Sequence, residues 1–72
     1  MRFEFNNLIV GNYKLKIFNI LGSEVWSDSF YIRNDRTMKF DLSELDKGTY
    51  LYSLVNDAGK TIATRRLMIL KP

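Results

Sequence analysis

The chain matches itself when it is shifted by 37 residues, and this internal repeat is the feature that most limits its possible folds. Without a gap, the shift aligns Gly11 and Tyr13 with Gly48 and Tyr50. Each copy contains Leu-x-x-Gly-x-Tyr, then an alternating segment, then Asn-x-x-Gly. Because 72 residues can form only one domain, we expect residues 1–72 to fold as a single unit with a pseudo-two-fold relation between its halves.

Each copy of the repeat predicts three strands. Apolar and polar residues alternate after each Tyr, which is typical of a half-buried strand. We expect strands at residues 3–5, 13–19, 24–32, 38–42, 50–56 and 61–70. Six to seven such strands leave no room for a helix beyond one short turn near Asp41. The predicted fold is therefore all-β, a small immunoglobulin-like β-sandwich of two antiparallel sheets.

The glycines and tyrosines of the repeat are expected to have structural roles. The glycine of Leu-x-x-Gly-x-Tyr is placed in a turn with positive φ, which costs a residue with a Cβ about 1–2 kcal/mol. The tyrosine is expected to place its ring in the core and its hydroxyl on the preceding backbone, like the tyrosine corner of immunoglobulin-like sandwiches. The turn and corner residues are Gly11, Tyr13, Gly22, Gly48, Tyr50 and Gly59.

Several apolar residues do not fit the simple alternation. Val25 and Ile62 are out of phase with the rest of their strands, which predicts a β-bulge near the start of each. Four others lie on the face opposite the predicted core: Phe18, Ile20, Leu51 and Val55. Because exposed apolar patches and open strand edges favour contacts, we expect a homodimer formed through edge strands or apolar faces.

The composition excludes most enzyme and metal chemistry. The chain has no His and no Cys, so it contains no imidazole base, no cysteine nucleophile and no zinc site built on those ligands. Its local carboxylate cluster of Asp41, Glu44 and Asp46 is read as a solvated turn rather than a calcium site. We therefore expect no catalytic residue, metal or cofactor. The longest apolar runs fall well short of the 18 residues that indicate a transmembrane helix.

The net charge is too small to favour nucleic-acid binding, but the basic residues are concentrated near the end of the chain. The net charge is only +3, and Lys14 and Lys16 alternate with core residues as ordinary strand exteriors. Stacking platforms would have to come from Phe18, Trp26, Phe30 and Tyr31, with Arg65 and Arg66 among the phosphate ligands. We expect no nucleic acid partner. Residues 60–72 contain four cations and no acid: Lys60, Arg65, Arg66 and Lys71.

Three segments together resemble a known family. They are residues 11–25 (GNYKLKIFNILGSEV), 40–52 (FDLSELDKGTYLY) and 59–71, with its basic, apolar ending. In this order they resemble the type A C-terminal sorting domain of the type IX secretion system of Bacteroidetes. The resemblance covers nearly the whole chain, although the Asn-Pro segment that usually opens the family is missing.

The resemblance implies a non-enzymatic signal that directs a larger exported cargo protein through the outer membrane to the cell surface. The implied partners are the outer-membrane translocon and a cell-surface sortase, and the implied route is the periplasm, then the cell surface or the extracellular space. The candidate signal residues are Gly48, Tyr50, Lys60, Arg65, Arg66, Leu67 and Lys71. The alternative is a carbohydrate-binding or adhesion module, for which Trp26 and Tyr31 would supply an aromatic platform.

Overall fold

Two antiparallel sheets make up the fold in the computed structural model, which describes residues 1–4, 8–33 and 37–70. The six strands of the described residues are β1 (Arg2–Glu4), β2 (Gly11–Phe18), β3 (Glu24–Ile32), β4 (Thr37–Lys39), β5 (Gly48–Asn56) and β6 (Thr61–Ile69). β1 pairs with β4, and the larger sheet has the order β3-β2-β5-β6. No helix occurs among these residues, and the predicted all-β, immunoglobulin-like sandwich is confirmed.

The 37-residue repeat appears as a pseudo-two-fold in the larger sheet. β2 and β5 form its antiparallel centre, and each is flanked by the third strand of its own half. The bounds of β6 are those of β3 plus 37 residues. At the centre of the sheet Lys16 pairs with Ser53, its own repeat equivalent, so the pseudo-axis passes through this pair. The short strands follow the repeat less closely, because β4 ends before Phe40, the residue that the repeat matches to Phe3 of β1.

The two hairpin turns are closed by the same hydrogen bonds. The side-chain oxygen of Asn19 accepts hydrogen bonds from the backbone N–H of Leu21 and Ser23. Asn56 accepts the equivalent bonds from residues 58 and 60. Each Asn backbone carbonyl also accepts a bond from the turn glycine three residues later. The turns therefore depend on Asn-x-x-Gly and place no demand on the two residues between.

Four glycines have positive φ, but they do so in two different settings. Gly22 and Gly59 have φ of 86° and 82°, in the left-handed region that the tight turns require. Gly11 and Gly48 have φ of 158° and 154°, so their predicted positive φ is confirmed. Their predicted location was wrong: they are the first residues of β2 and β5 and are nearly extended, rather than lying within the preceding turns.

Both tyrosine corners form. The Tyr13 hydroxyl donates to the carbonyl of Ile9, and the Tyr50 hydroxyl donates to the carbonyl of Asp46 at 2.7 Å. Each bond spans four residues and ties the loop to the strand that follows it. Tyr13 is buried, with 7% of its surface exposed, and Tyr50 is mostly buried, which confirms the prediction for both rings.

The two predicted bulges are present at equivalent positions. The register of β2 with β3 skips Val25, and the register of β5 with β6 skips Ile62. One extra residue on each third strand reverses the sheet face toward which the side chains beyond it point. Beside the second bulge Val55 is buried, although alternation along β5 assigns it to the open face. The first bulge lies beside Phe18, which is half-buried.

The core lies between the inner face of the larger sheet and a layer formed by β1, β4 and the segment after β4. Phe40 is its hub: its ring centroid lies 5.6 Å from Phe3, 5.6 Å from Trp26 and 5.3 Å from Phe30, all in edge-on contacts. The Met1 and Phe40 backbones also bond to each other in both directions. The buried apolar residues are Phe3, Tyr13, Leu15, Ile17, Ile32, Phe40, Leu42, Leu45, Leu54, Val55, Leu67 and Ile69.

We expect Gly59→Ala to lower the free energy of unfolding by about 1–2 kcal/mol, because alanine is unfavourable in the left-handed region. Gly59→Asn is the matched control, since asparagine tolerates this region and should lose less stability. Urea denaturation of the three proteins measures the difference. Equal midpoints for Gly59→Ala and the parent would contradict the assignment of the turn.

We expect Phe40→Ala to cost about 3–5 kcal/mol, because it removes the ring on which three aromatic side chains pack. A domain of this size has a total stability of about 4–11 kcal/mol, so the variant should lose most of its cooperative unfolding transition. Ile20→Ala is the control, because Ile20 is 78% exposed and should change stability by less than about 0.5 kcal/mol. Thermal melts that coincide for the two variants would refute the role of Phe40 as the hub.

Candidate functional site

Strand β6 carries the basic surface that the sequence predicts. It is an edge of the larger sheet, so among the described residues only β5 pairs with it. Arg65 and Arg66 lie near its middle and are exposed. Lys60 is exposed in the hairpin turn that leads into the strand, while Lys71 lies outside the described residues. The edge therefore presents a cation toward each face of the sheet.

The two arginines have different neighbours. Arg65 shares the parity of the inner face, where it lies opposite Tyr52, and its guanidinium donates to the carbonyl of Thr64 at 2.9 Å. Arg66 points to the outer face, opposite Leu51. Within the described part of the chain, the one ion pair within 4.0 Å joins Lys16 to Glu24. Neither arginine is neutralised by a described carboxylate, and a surface ion pair would hold it only weakly in any case.

The remaining candidate signal residues are part of the framework. Leu67 is 8% exposed and packs in the core, and Tyr50 forms a corner. Gly48 is exposed and begins β5. The structure thus separates the predicted set into cations on the surface and residues that hold the strand in place. The cations are close in the fold because the framework residues position β6.

A cleft of about 630 Å³ adjoins the inner side of β6. Leu54, Ala63 and Arg65 are among its lining residues. Ala63 stands where the first half of the repeat has Trp26, which packs on Phe40. The smaller side chain leaves space beside β6 that Trp26 fills beside β3. The cleft can therefore accommodate an apolar group next to the exposed guanidinium of Arg65.

The outer face of the larger sheet is open and mixed in character, a feature that alternation alone did not resolve. Phe18 lies opposite Leu51 in the pair β2–β5, and Met68 is exposed farther along β6. The hydroxyls of Ser53 and Thr64 lie 3.1 Å apart and form a polar row across the same face. Phe18, Leu51 and Met68 therefore lie toward one end of this face, beyond a polar middle, and Tyr31 lies toward the other end.

Large exposed apolar residues also occupy the first turn, where the second copy has a charged residue and an alanine. Ile20 and Leu21 are 78% and 87% exposed. Their repeat equivalents are Asp57 and Ala58, although both turns make the same hydrogen bonds. The apolar pair is therefore not required for the turn. Strand alternation identifies Ile20 as an apolar residue outside the core but not Leu21, whereas comparison of the two turns identifies both.

The other chemical candidates are not assembled into sites. Hydrogen bonds from the Ser43 hydroxyl and backbone N–H lower the pKa of Asp41 below its ordinary value of 3.8, which is typical of a capped turn. Glu44 and Asp46 are exposed beside it. Across residues 1–4, 8–33 and 37–70, no group of three or more His, Cys, Asp or Glu is placed to hold a metal ion.

The aromatic residues considered as a stacking platform fall on opposite faces. Trp26 and Phe30 point inward and pack on Phe40. Tyr31 points outward, with the Arg33 guanidinium 5.7 Å from its ring centre. Phe18 is half-buried on that outer face. The structure therefore does not bring these rings together into one surface.

None of the described residues belongs to a helix long and apolar enough to cross a membrane. Comparison with protein-family models matches residues 1–70 to the family described as the secretion system C-terminal sorting domain. Comparisons with the curated proteins and with the solved structures return no match.

The matched segment spans all six strands, including the basic edge. Members of this family act as C-terminal sorting signals for type IX secretion, which is not a catalytic role. They imply interaction with the secretion machinery and export to the cell surface or extracellular space, and the family points to Bacteroidetes. The chain belongs to the family of C-terminal sorting domains of the type IX secretion system.

Proposed function

We propose that the chain is the sorting domain of a larger exported protein and that the outer-membrane translocon recognises it at the edge strand β6. The observation that carries this proposal is the placement of Arg65 and Arg66, both exposed on an edge strand, beside β5, which carries no acid. The rest of β6 is held by the core through Leu67 and Ile69. Recognition then uses a strand that the core holds in place and that displays two exposed cations.

An open strand edge offers two kinds of interaction at once. Its unpaired backbone groups can add a strand from a partner, and its side chains select that strand by charge. Cations on β6 favour a partner surface rich in carboxylates. The same arginines also discourage unwanted edge pairing with apolar strands, and this protective role is compatible with recognition.

The proposed route follows from the sorting role. The parent protein crosses the inner membrane, its sorting domain folds in the periplasm, and the translocon carries it to the outside. There a cell-surface sortase acts on the boundary between domain and cargo. The support for this route is the family match over residues 1–70 together with a framework that reaches Ile69, so that the machinery meets a folded domain.

A carbohydrate-binding or adhesion role has less support. Of the two aromatic residues considered for a platform, Trp26 packs on Phe40 in the core. Tyr31 is 49% exposed, but its ring faces Arg33 and stands apart from other exposed aromatic rings among the described residues. Sugar rings generally require an aromatic face that the fold does not use for itself.

The test is export of a fluorescent cargo that carries an inner-membrane export signal and residues 1–72 at its C-terminus. In a bacterium with this secretion system, the parent fusion should reach the cell surface. Arg65→Ser combined with Arg66→Ser should lower the surface fraction at least about tenfold and leave folded cargo in the periplasm, because charge selection is lost. Fractionation and surface protease accessibility measure the distribution.

Lys14→Ser combined with Lys39→Ser is the matched control, since it removes the same charge from exposed positions away from β6. It should be exported like the parent. Deleting residues 66–72 is a poorer experiment, because it also removes the buried Leu67 and Ile69 and would unfold the domain. Normal export of the double arginine variant would contradict recognition at β6 and leave these residues only their protective role.

A further inference from the structure

The two edges of the larger sheet carry opposite charge. β3 contains Glu24 and Asp28 and no basic residue. β6 contains Arg65 and Arg66 and no acidic residue. Both strands have nine residues and occupy equivalent places in the repeat, and among the described residues each pairs with only one neighbour. The acidic β3 of one copy of the chain is therefore complementary in charge to the basic β6 of a second copy.

The strand directions permit such a contact. Because each strand of the larger sheet is antiparallel to its neighbour, β3 and β6 run in opposite directions. If a second copy is placed alongside in the same orientation, its β3 lies antiparallel to β6 of the first. The two sheets then continue as one sheet with unbroken alternation. Self-association through the edges therefore requires no change in the fold.

The middle residues of the two strands define the register. Asp28 is the fifth of nine residues in β3, and Arg65 is the fifth of nine in β6. They are repeat equivalents, because Asp28 pairs with Leu15 in β2 and Arg65 pairs with Tyr52 in β5. Their backbone groups are therefore oriented alike, which antiparallel partners require.

With the midpoints opposed, the flanking side chains also match. On the inner face, Trp26 of one copy meets Leu67 of the next. On the outer face, Ser27 meets Arg66. A shift by one residue would oppose inward-facing and outward-facing side chains, and a shift by two would place Asp28 opposite Leu67. The midpoint register is the one that pairs the charges and keeps both faces continuous.

From these observations the geometry points to a head-to-tail assembly in which β6 of one copy adds to β3 of a second copy, with Arg65 opposite Asp28. Each copy then offers one free acidic edge and one free basic edge, so the contact is heterologous and repeats to form chains or closed rings. Of the two contacts expected from the sequence, edge strands or apolar faces, this proposal assigns self-association to the edge strands. It occupies the same edge that the proposed translocon contact uses.

Charge reversal tests the pairing with the 72-residue chain. In sedimentation velocity at low salt, the parent should exceed its monomer mass of 8.5 kDa as concentration rises. Asp28→Arg and Arg65→Asp should each raise the dissociation constant at least about tenfold, because like charges then meet. An equimolar mixture of the two variants should associate again, and so should the double variant. Added salt should weaken the parent assembly.

The matched controls are Asp57→Arg and Lys60→Asp, which change the same charges at exposed turn positions outside both strands. Both should associate like the parent. A parent that remains monomeric at every concentration would overturn the inference. Unchanged association of either single variant, or failure of the mixture to recover, would do the same. Circular dichroism establishes that each variant is folded.

Cross-linking provides a measurement that leaves the charges intact. The chain has no cysteine, and the midpoint register opposes Ser29 of one copy to Thr64 of the next. Mixing Ser29→Cys with Thr64→Cys should give a disulfide-linked dimer that contains one of each. Dimers that contain only Ser29→Cys, or only Thr64→Cys, would show pairing of like edges and refute the head-to-tail contact.

Different substitutions test the self-association and the proposed sorting contact. Asp28→Arg removes the contact between copies but leaves all β6 cations in place. Sorting that depends only on β6 should therefore survive this substitution, whereas Arg65→Ser combined with Arg66→Ser removes it. The oligomeric state in solution reports on the pairing alone, and the surface fraction of the cargo reports on sorting.

Discussion

The fold depends on covering one face of a four-stranded sheet with very few residues. That face is apolar along both halves, and among the described residues it is covered by two three-residue strands, the segment after β4 and Leu8. Aromatic side chains make this possible, since each covers a large area in one contact. Phe40 is central because it joins Phe3 from the small layer to Trp26 and Phe30 from the large sheet. The second, smaller cluster of Tyr13, Ile32 and Leu54 does not contain Phe40 and cannot replace these contacts.

The repeat allowed most of the framework to be predicted from the sequence. The bounds of β3 and β6, the bulges at Val25 and Ile62 and the tyrosine corners all follow from local pattern and equivalence between halves. Local pattern could not predict how the small layer packs, because short strands such as β4 are determined by tertiary contacts rather than by their own sequence. The same limit explains the burial of Val55, which depends on a bulge in the strand beside it.

The charge of the candidate site could be predicted from the sequence, but its three-dimensional shape could not. The sequence predicted a basic ending over residues 60–72, and the structure finds Lys60, Arg65 and Arg66 exposed. It could not identify the cleft, which reflects Ala63 in place of Trp26 in a cross-sheet contact. Nor could it identify the contrast between the edges, since strand order must be known before β3 and β6 become the two borders of one sheet. The copies of the repeat thus share a backbone and differ in the surfaces they present.

The burial of Leu67 and Ile69 has a consequence for biosynthesis. Both side chains complete the core, yet they lie in the last strand of the described chain. Ribosomes make the chain from its N-terminus, so the earlier strands emerge before the β6 side chains that complete the core. A product that stops before Leu67 cannot present the folded domain. A folded domain therefore indicates that synthesis has continued through β6. A secretion machinery that accepts only the folded form would reject prematurely terminated products without a separate proofreading step.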